Sequence, residues 1–102
     1  MSNSVFYVKF QENKAVAIRT ETFVSATGRF VQNLFTVFDL IAAIRNPGIQ
    51  LQVGLPKDAG PLSLSYHDTP DEEIDDDELL SALTGGRKRN EPLLIHGIYY
   101  YA

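Results

Sequence analysis

The residues with most to offer chemically are acids. Asp68, Asp71, Glu72, Glu73, Asp75, Asp76, Asp77 and Glu78 make up eight of the thirteen carboxylates in the chain. Such a run can face a basic protein surface or offer oxygen ligands to a divalent cation. Calcium loops need a tight glycine turn and a glutamate at the twelfth position, and this run has neither, so no metal is expected. General acid and base work needs a cleft that drives two carboxyl groups apart in proton affinity, which an exposed acidic run does not provide.

His67 and His96 are the only histidines, and there is no cysteine. A thiol nucleophile, a disulfide framework and a cysteine-rich zinc site are therefore excluded. A small metal-assisted hydrolase or nuclease subunit using His67, Asp68, Asp71 and His96 is the rival reading from the enzyme class. Against it, no GxSxG nucleophile pattern occurs, and a hydrogen-bonded structural histidine is the plainer account of His96. Gly85-Gly86-Arg87-Lys88 lacks the GxxxxGK[ST] spacing of a phosphate loop. No catalytic residue and no cofactor are expected.

The complementary charges are Lys9 and Arg19 early in the chain, Arg29, and the triplet Arg87-Lys88-Arg89. The triplet reads most simply as a solvated loop. An acidic surface built from Asp68, Asp71, Glu73, Asp75 and Asp77 could meet Lys9 and Arg19 of another copy or of a different protein. The net charge of −4 disfavours nucleic acid as a partner.

The elements that must position these groups follow from periodicity. Val5 to Phe10 and Ala15 to Arg19 read as two strands joined at Asn13-Lys14. Phe30 to Arg45 has apolar residues at spacings of three and four and reads as one long helix of about four turns, ended by Asn46-Pro47-Gly48. Phe35 and Phe38 fall at its core positions beside Phe6 and Phe10. Its apolar arc is wider than one sheet needs, and the surplus through Phe30, Val37 and Leu40 is a candidate interface, either with a partner or in an obligate homodimer.

Ile49, Leu51, Val53 and Leu55 alternate with Gln50, Gln52 and Gly54, the pattern of a half-buried strand. Leu62 to Tyr66 gives another strand. Asp68 to Asp71 forms a turn, and Asp75 caps a short helix over Asp76 to Leu83. A last strand begins at Leu93-Leu94-Ile95. The fold class is α+β: a mixed sheet of four to five strands packed on one long helix, with a short second helix. Within that class a ubiquitin-like β-grasp leads.

With 102 residues, 44% of them hydrophobic and 22% charged, the chain suits one domain with an ordered core over about 5–98. Neither a secretory signal nor a membrane-length apolar run is visible, so the expected location is cytoplasm or nucleus, with non-classical secretion or host delivery left open.

Two families of ubiquitin relatives share short motifs with this chain. The stretch from Leu64-Ser65-Tyr66-His67-Asp68 through Asp71 and Asp75 to Asp77-Glu78-Leu79-Leu80-Ser81-Ala82-Leu83 resembles the acidic motif of PB1 domains. That resemblance implies binding to a basic surface bearing a first-strand lysine, and Lys9 is the matching residue. Leu79-Leu80-Ser81-Ala82-Leu83, Gly85-Gly86 and Asn90-Glu91-Pro92-Leu93-Leu94-Ile95 are similar to the end of the ubiquitin-like header domains of Crinkler proteins from oomycetes and fungi. Such headers precede separate effector domains. Both resemblances imply a non-catalytic protein-interaction module, here the N-terminal part of a larger effector-like or signalling protein.

Overall fold

Alternation along the first strand sets the face that the rest of the chain must cover. In a computed structural model that describes residues 5–20, 23–24, 31–56 and 58–97, strand β1 (Val5–Phe10) buries Phe6, Val8 and Phe10 and leaves Val5, Tyr7 and Lys9 half-buried on the other face. Strand β2 (Val16–Arg19) returns antiparallel, with Val8 opposite Val16 and Val5 opposite Arg19. Two short strands, β3 (Phe23–Val24) and β4 (Val31–Gln32), pair separately. Helices α1 (Val37–Ile44) and α2 (Pro47–Val53) follow. Strands β5 (Leu62–Tyr66) and β6 (Thr69–Glu73), a single 3-10 turn at Leu80–Ala82 and strand β7 (Leu93–Gly97) complete the described chain.

The main sheet has five strands in the order β2-β1-β7-β5-β6. Strand β7 lies parallel to β1, with Val8 opposite Leu93 and Phe10 opposite Ile95, and antiparallel to β5. The last strand thus sits at the centre of a mixed sheet. Leu62, Leu64, Leu93 and Ile95 join Phe6, Val8, Phe10 and Ile18 in one core cluster. Val37, Leu40, Ile41, Ala43, Ile44 and Val53 from the two helices belong to the same cluster. The fold is a compact α+β arrangement of a five-stranded mixed sheet with two helices.

Three sequence expectations are corrected. The first concerns the long helix. Val31–Gln32 is strand and only Val37–Ile44 is helical, because Thr36 is extended (φ −118°, ψ 167°) and caps the helix. Thr36 Oγ1 accepts from the Asp39 N–H at 3.2 Å, and Asp39 Oδ2 accepts from the N–H groups of Thr36 and Phe35 at 3.1 and 2.9 Å. This capping box satisfies donors that a helix start otherwise leaves orphaned, and it fixes the boundary inside the apolar run. Phe35 and Phe38, expected in the core, are 63% and 62% exposed.

The second correction is the strand expected over Ile49 to Leu55, which is helix α2. Asn46 Oδ1 accepts from the Gly48 N–H at 3.3 Å and Pro47 occupies the first turn, so the sequence that ends one helix starts the next. Gly54, at φ 77°, closes α2 in the left-handed conformation that glycine adopts without strain. Leu51, an inward residue in the strand reading, is 83% exposed.

The third concerns the acidic run. Thr69 to Glu73, expected in part as a turn, forms edge strand β6, and the helix expected over Asp76 to Leu83 is reduced to the 3-10 turn. Asp75 to Glu78 instead forms a turn, with the Glu78 N–H donating to the Asp75 carbonyl at 3.1 Å. Its carbonyls serve α1: the Val37 N–H donates to Glu78 O at 2.9 Å and the Phe38 N–H to Asp76 O at 3.0 Å. Backbone that completes the start of one helix cannot also be the first turn of another. Pro70 and three consecutive acids on β6 suit an outer strand, since both discourage pairing with another chain's edge.

Candidate functional site

The outward face of β1 carries Tyr7 and Lys9, because Phe6, Val8 and Phe10 turn to the core. Loop residues 87–92 pass close to this face. Their course is set at Gly86, which has φ 83° and whose carbonyl accepts from the Tyr7 N–H at 2.7 Å. A Cβ there would lie 2.5 Å from Leu93 Cγ, so only glycine lets the chain run this near the sheet.

From that anchor two members of the basic triplet fold back onto rings. The Arg87 guanidinium stands 4.5 Å from the centroid of Phe6 and donates to the Leu80 carbonyl at 3.3 Å. The Arg89 guanidinium stands 5.0 Å from the centroid of Tyr7 and donates to the Ala15 carbonyl at 3.2 Å. A cation over an aromatic face is held by the ring quadrupole, worth about 0.5–1 kcal/mol at an exposed site. Between them Lys88 and Glu91 close a turn, the Glu91 N–H donating to Lys88 O at 3.1 Å, with Arg89 and Asn90 at its apex. The triplet is exposed throughout, as expected of a solvated loop, and two of its three residues also rest on rings.

Arg89 and Lys9 line one cleft of about 310 Å³, with Lys14 from the β1–β2 turn, His67 from the β5–β6 turn and Pro92 as an apolar wall. The turn that supplies Lys14 is fixed from two sides: Asn13 donates from its backbone to Phe10 O at 3.1 Å and from its side chain to Val53 O at 2.9 Å. Among the described residues three cationic side chains and a histidine line the cleft, and no carboxylate does. In a molecule of net charge −4 this is a local reversal of sign.

Arg19, expected to act with Lys9, is not in the cleft. It is exposed opposite Val5, four residues along β1 from Lys9, or about 13 Å at the usual rise of a strand. Sequence reading gave Arg89 only as part of a solvated basic triplet and Lys14 only as a turn residue, and placed neither beside Lys9. The alternation of positions 87 and 89 was the available signal, but the contact from Arg89 to Ala15 spans 74 residues.

The expected acidic surface is divided. Asp68 and Glu72 line a second depression of about 330 Å³ together with Glu91, and His67 borders both depressions. Asp71 and Glu73 are exposed on β6, and Asp75 and Asp77 lie in the turn beside α1. Of the expected apolar interface, Val37 and Leu40 are completely buried by the α1–sheet packing and are not available to another chain, which also removes the basis for a homodimer through them. Phe30 lies outside the described residues. Ser65 Oγ and His96 Nε2 are hydrogen-bonded at 2.8 Å across β5 and β7, and Ser65 is fully buried. Among the described residues no group of three or more histidine and carboxylate side chains converges as a metal-ligand set. Among them, too, no helix is long and apolar enough to cross a membrane.

Comparison with known proteins finds no family model, no curated protein and no solved structure that matches the chain.

Proposed function

We propose that this chain is a non-catalytic, ubiquitin-like interaction module of the β-grasp type that receives an acidic segment of a partner protein in the Lys9–Arg89 cleft. The fold part of this reading is supported by a first hairpin, a helical crossover, and a final strand seated parallel to the first in the middle of the sheet. The observation that carries the functional part is the placement of Arg89. Its guanidinium is held by Tyr7 and Ala15 before any partner arrives, so little side-chain entropy remains to be lost when an anion binds. Lys9 adds a second charge from a strand, a rigid platform. A carboxylate chain suits the cleft because Lys9, Lys14 and Arg89 offer only donors.

Titration with a short Asp/Glu-rich peptide, followed by calorimetry and amide chemical shifts, tests the proposal. Binding should weaken as salt rises, and should fall at least about tenfold in Lys9→Glu or Arg89→Glu while Arg19→Glu changes it little. Equal loss in all three variants would reduce the effect to net charge and remove the cleft from the account.

A second reading is favoured by the carboxylates beside the cleft. Asp68, Glu72 and Glu91 line the depression that shares His67 with it, so another copy of this chain could supply the acidic segment. Sedimentation at low and high salt separates the readings: self-association lost in Asp68→Lys and in Lys9→Glu alike would identify the acidic partner as a second copy.

A further inference from the structure

Three large apolar side chains cluster where the acidic turn meets the start of α1. Phe35 is 63% exposed, Phe38 62% and Leu79 54%. Their neighbourhood is set by backbone pairing: Thr36 and Leu79 form an antiparallel bridge, and the Leu80 N–H donates to Phe35 O at 2.8 Å. Phe38 is the second residue of α1, and its N–H bond to Asp76 O ties it to the same acidic turn. Phe35 and Leu79 wall a depression of about 320 Å³ whose floor includes the buried Leu34 and Leu80. Exposed apolar residues that occur singly need no explanation, whereas a contiguous group around a depression marks a contact surface.

Carboxylates stand on the turn beside it, and the Arg87 guanidinium reaches Leu80 O at 3.3 Å. Asp76, Asp77 and Glu78 are exposed and are held against α1 through the bonds from Val37 to Glu78 and from Phe38 to Asp76. Residues 31–44 and 71–83, which form this corner, contain no lysine or arginine. The remaining edge is neutral, formed by Thr20, Asn33 and Ser81. The backbone flanking the depression is already paired: Leu34 N–H with Thr20 O at 2.7 Å, Leu80 N–H with Phe35 O, and Val37 N–H with Glu78 O. These three donors are closed to a partner strand, which favours recognition by side chains.

We infer that the Phe35–Leu79 depression is a docking site for a basic amphipathic helix of a partner protein. Apolar side chains of the helix at spacings of three and four enter between Phe35, Phe38 and Leu79, and its lysines or arginines lie along Asp76, Asp77 and Glu78. This site uses none of the residues of the cationic cleft and does not depend on the function proposed for it.

The probe is a capped synthetic helical peptide with leucines on one face and lysines on the other, titrated into the full chain and followed by fluorescence anisotropy and amide chemical shifts. Saturable binding is expected, weakened at least about tenfold by Phe35→Ala or Leu79→Ser. The pair Asp76→Lys with Glu78→Lys should weaken it as well and flatten its salt dependence, since the hydrogen bonds from α1 to the turn end on backbone carbonyls that the substitutions keep. Lys9→Glu should leave it unchanged, which separates this result from the fate of the cleft. Absence of saturable binding would overturn the inference, as would equal affinity for a peptide with glutamates in place of the lysines, or unchanged affinity in folded Phe35→Ala. Concentration-dependent dimerisation abolished by Phe35→Ala would overturn it too, by showing that a second copy occupies the site.

Discussion

Arg89 lies over the ring of Tyr7, its guanidinium carbon 5.0 Å from the ring centroid, although the two residues are far apart in sequence. The contact brings loop 87–92 onto the outward face of β1, and Arg89, still exposed, becomes one wall of the cleft. Tyr7 and Lys9 alternate with the core residues of β1, so the strand that anchors the hydrophobic core also presents the cleft.

Replacing Arg89 by alanine should therefore separate stability from binding. The lost ring contact and the bond to Ala15 should cost about 0.5–1.5 kcal/mol in urea denaturation. Affinity for an acidic peptide should fall at least about tenfold. Arg89→Lys should recover less than half of the lost binding free energy, because an ammonium cannot lie flat on Tyr7 and reach Ala15 together.

Thr36→Ala removes one half of the capping box that separates β4 from α1. It should destabilise the protein by about 1 kcal/mol, with Thr36→Ser close to wild type, both measured by chemical denaturation. If residues 30 to 45 were one continuous helix, position 36 would be interior and alanine would be neutral or stabilising, so the sign of the change decides the matter.

Leu40 and Leu51 test the helical assignment of the middle of the chain. Leu40 is completely buried beneath the sheet, and Leu40→Ala should cost about 2–5 kcal/mol. Leu51 projects into water from α2, and Leu51→Ala should stay within about 0.5 kcal/mol of wild type. Were residues 49 to 55 a strand with inward leucines, the Leu51 change would be costly as well.

What could be read from the amino acids was whatever one short segment decides by itself. The alternation of Phe6, Val8 and Phe10 and of Leu62 and Leu64 gave strands and their buried faces, and the apolar run Leu93-Leu94-Ile95 gave a strand without saying which face is buried. Ile49 to Leu55 has the same alternation, yet Asn46 and Pro47 at its start and Gly54 at its end determine a helix; caps outweighed pattern there. The Thr36–Asp39 capping box was present in the sequence but lay inside a longer apolar run that masked it. The cleft was only half legible: Lys9 followed from the strand, whereas Arg89 and Lys14 reach it through contacts to Tyr7, Ala15 and Val53 that no local pattern encodes.

The place of β7 between β1 and β5 has a consequence for how the molecule comes into being. The residues of the opening hairpin and of the β5–β6 pair are synthesised first, and neither pair has its central neighbour until Leu93 to Gly97 follow. Until then the β1 and β5 edges that β7 joins lack their partner, and each two-stranded pair is at best marginally stable alone.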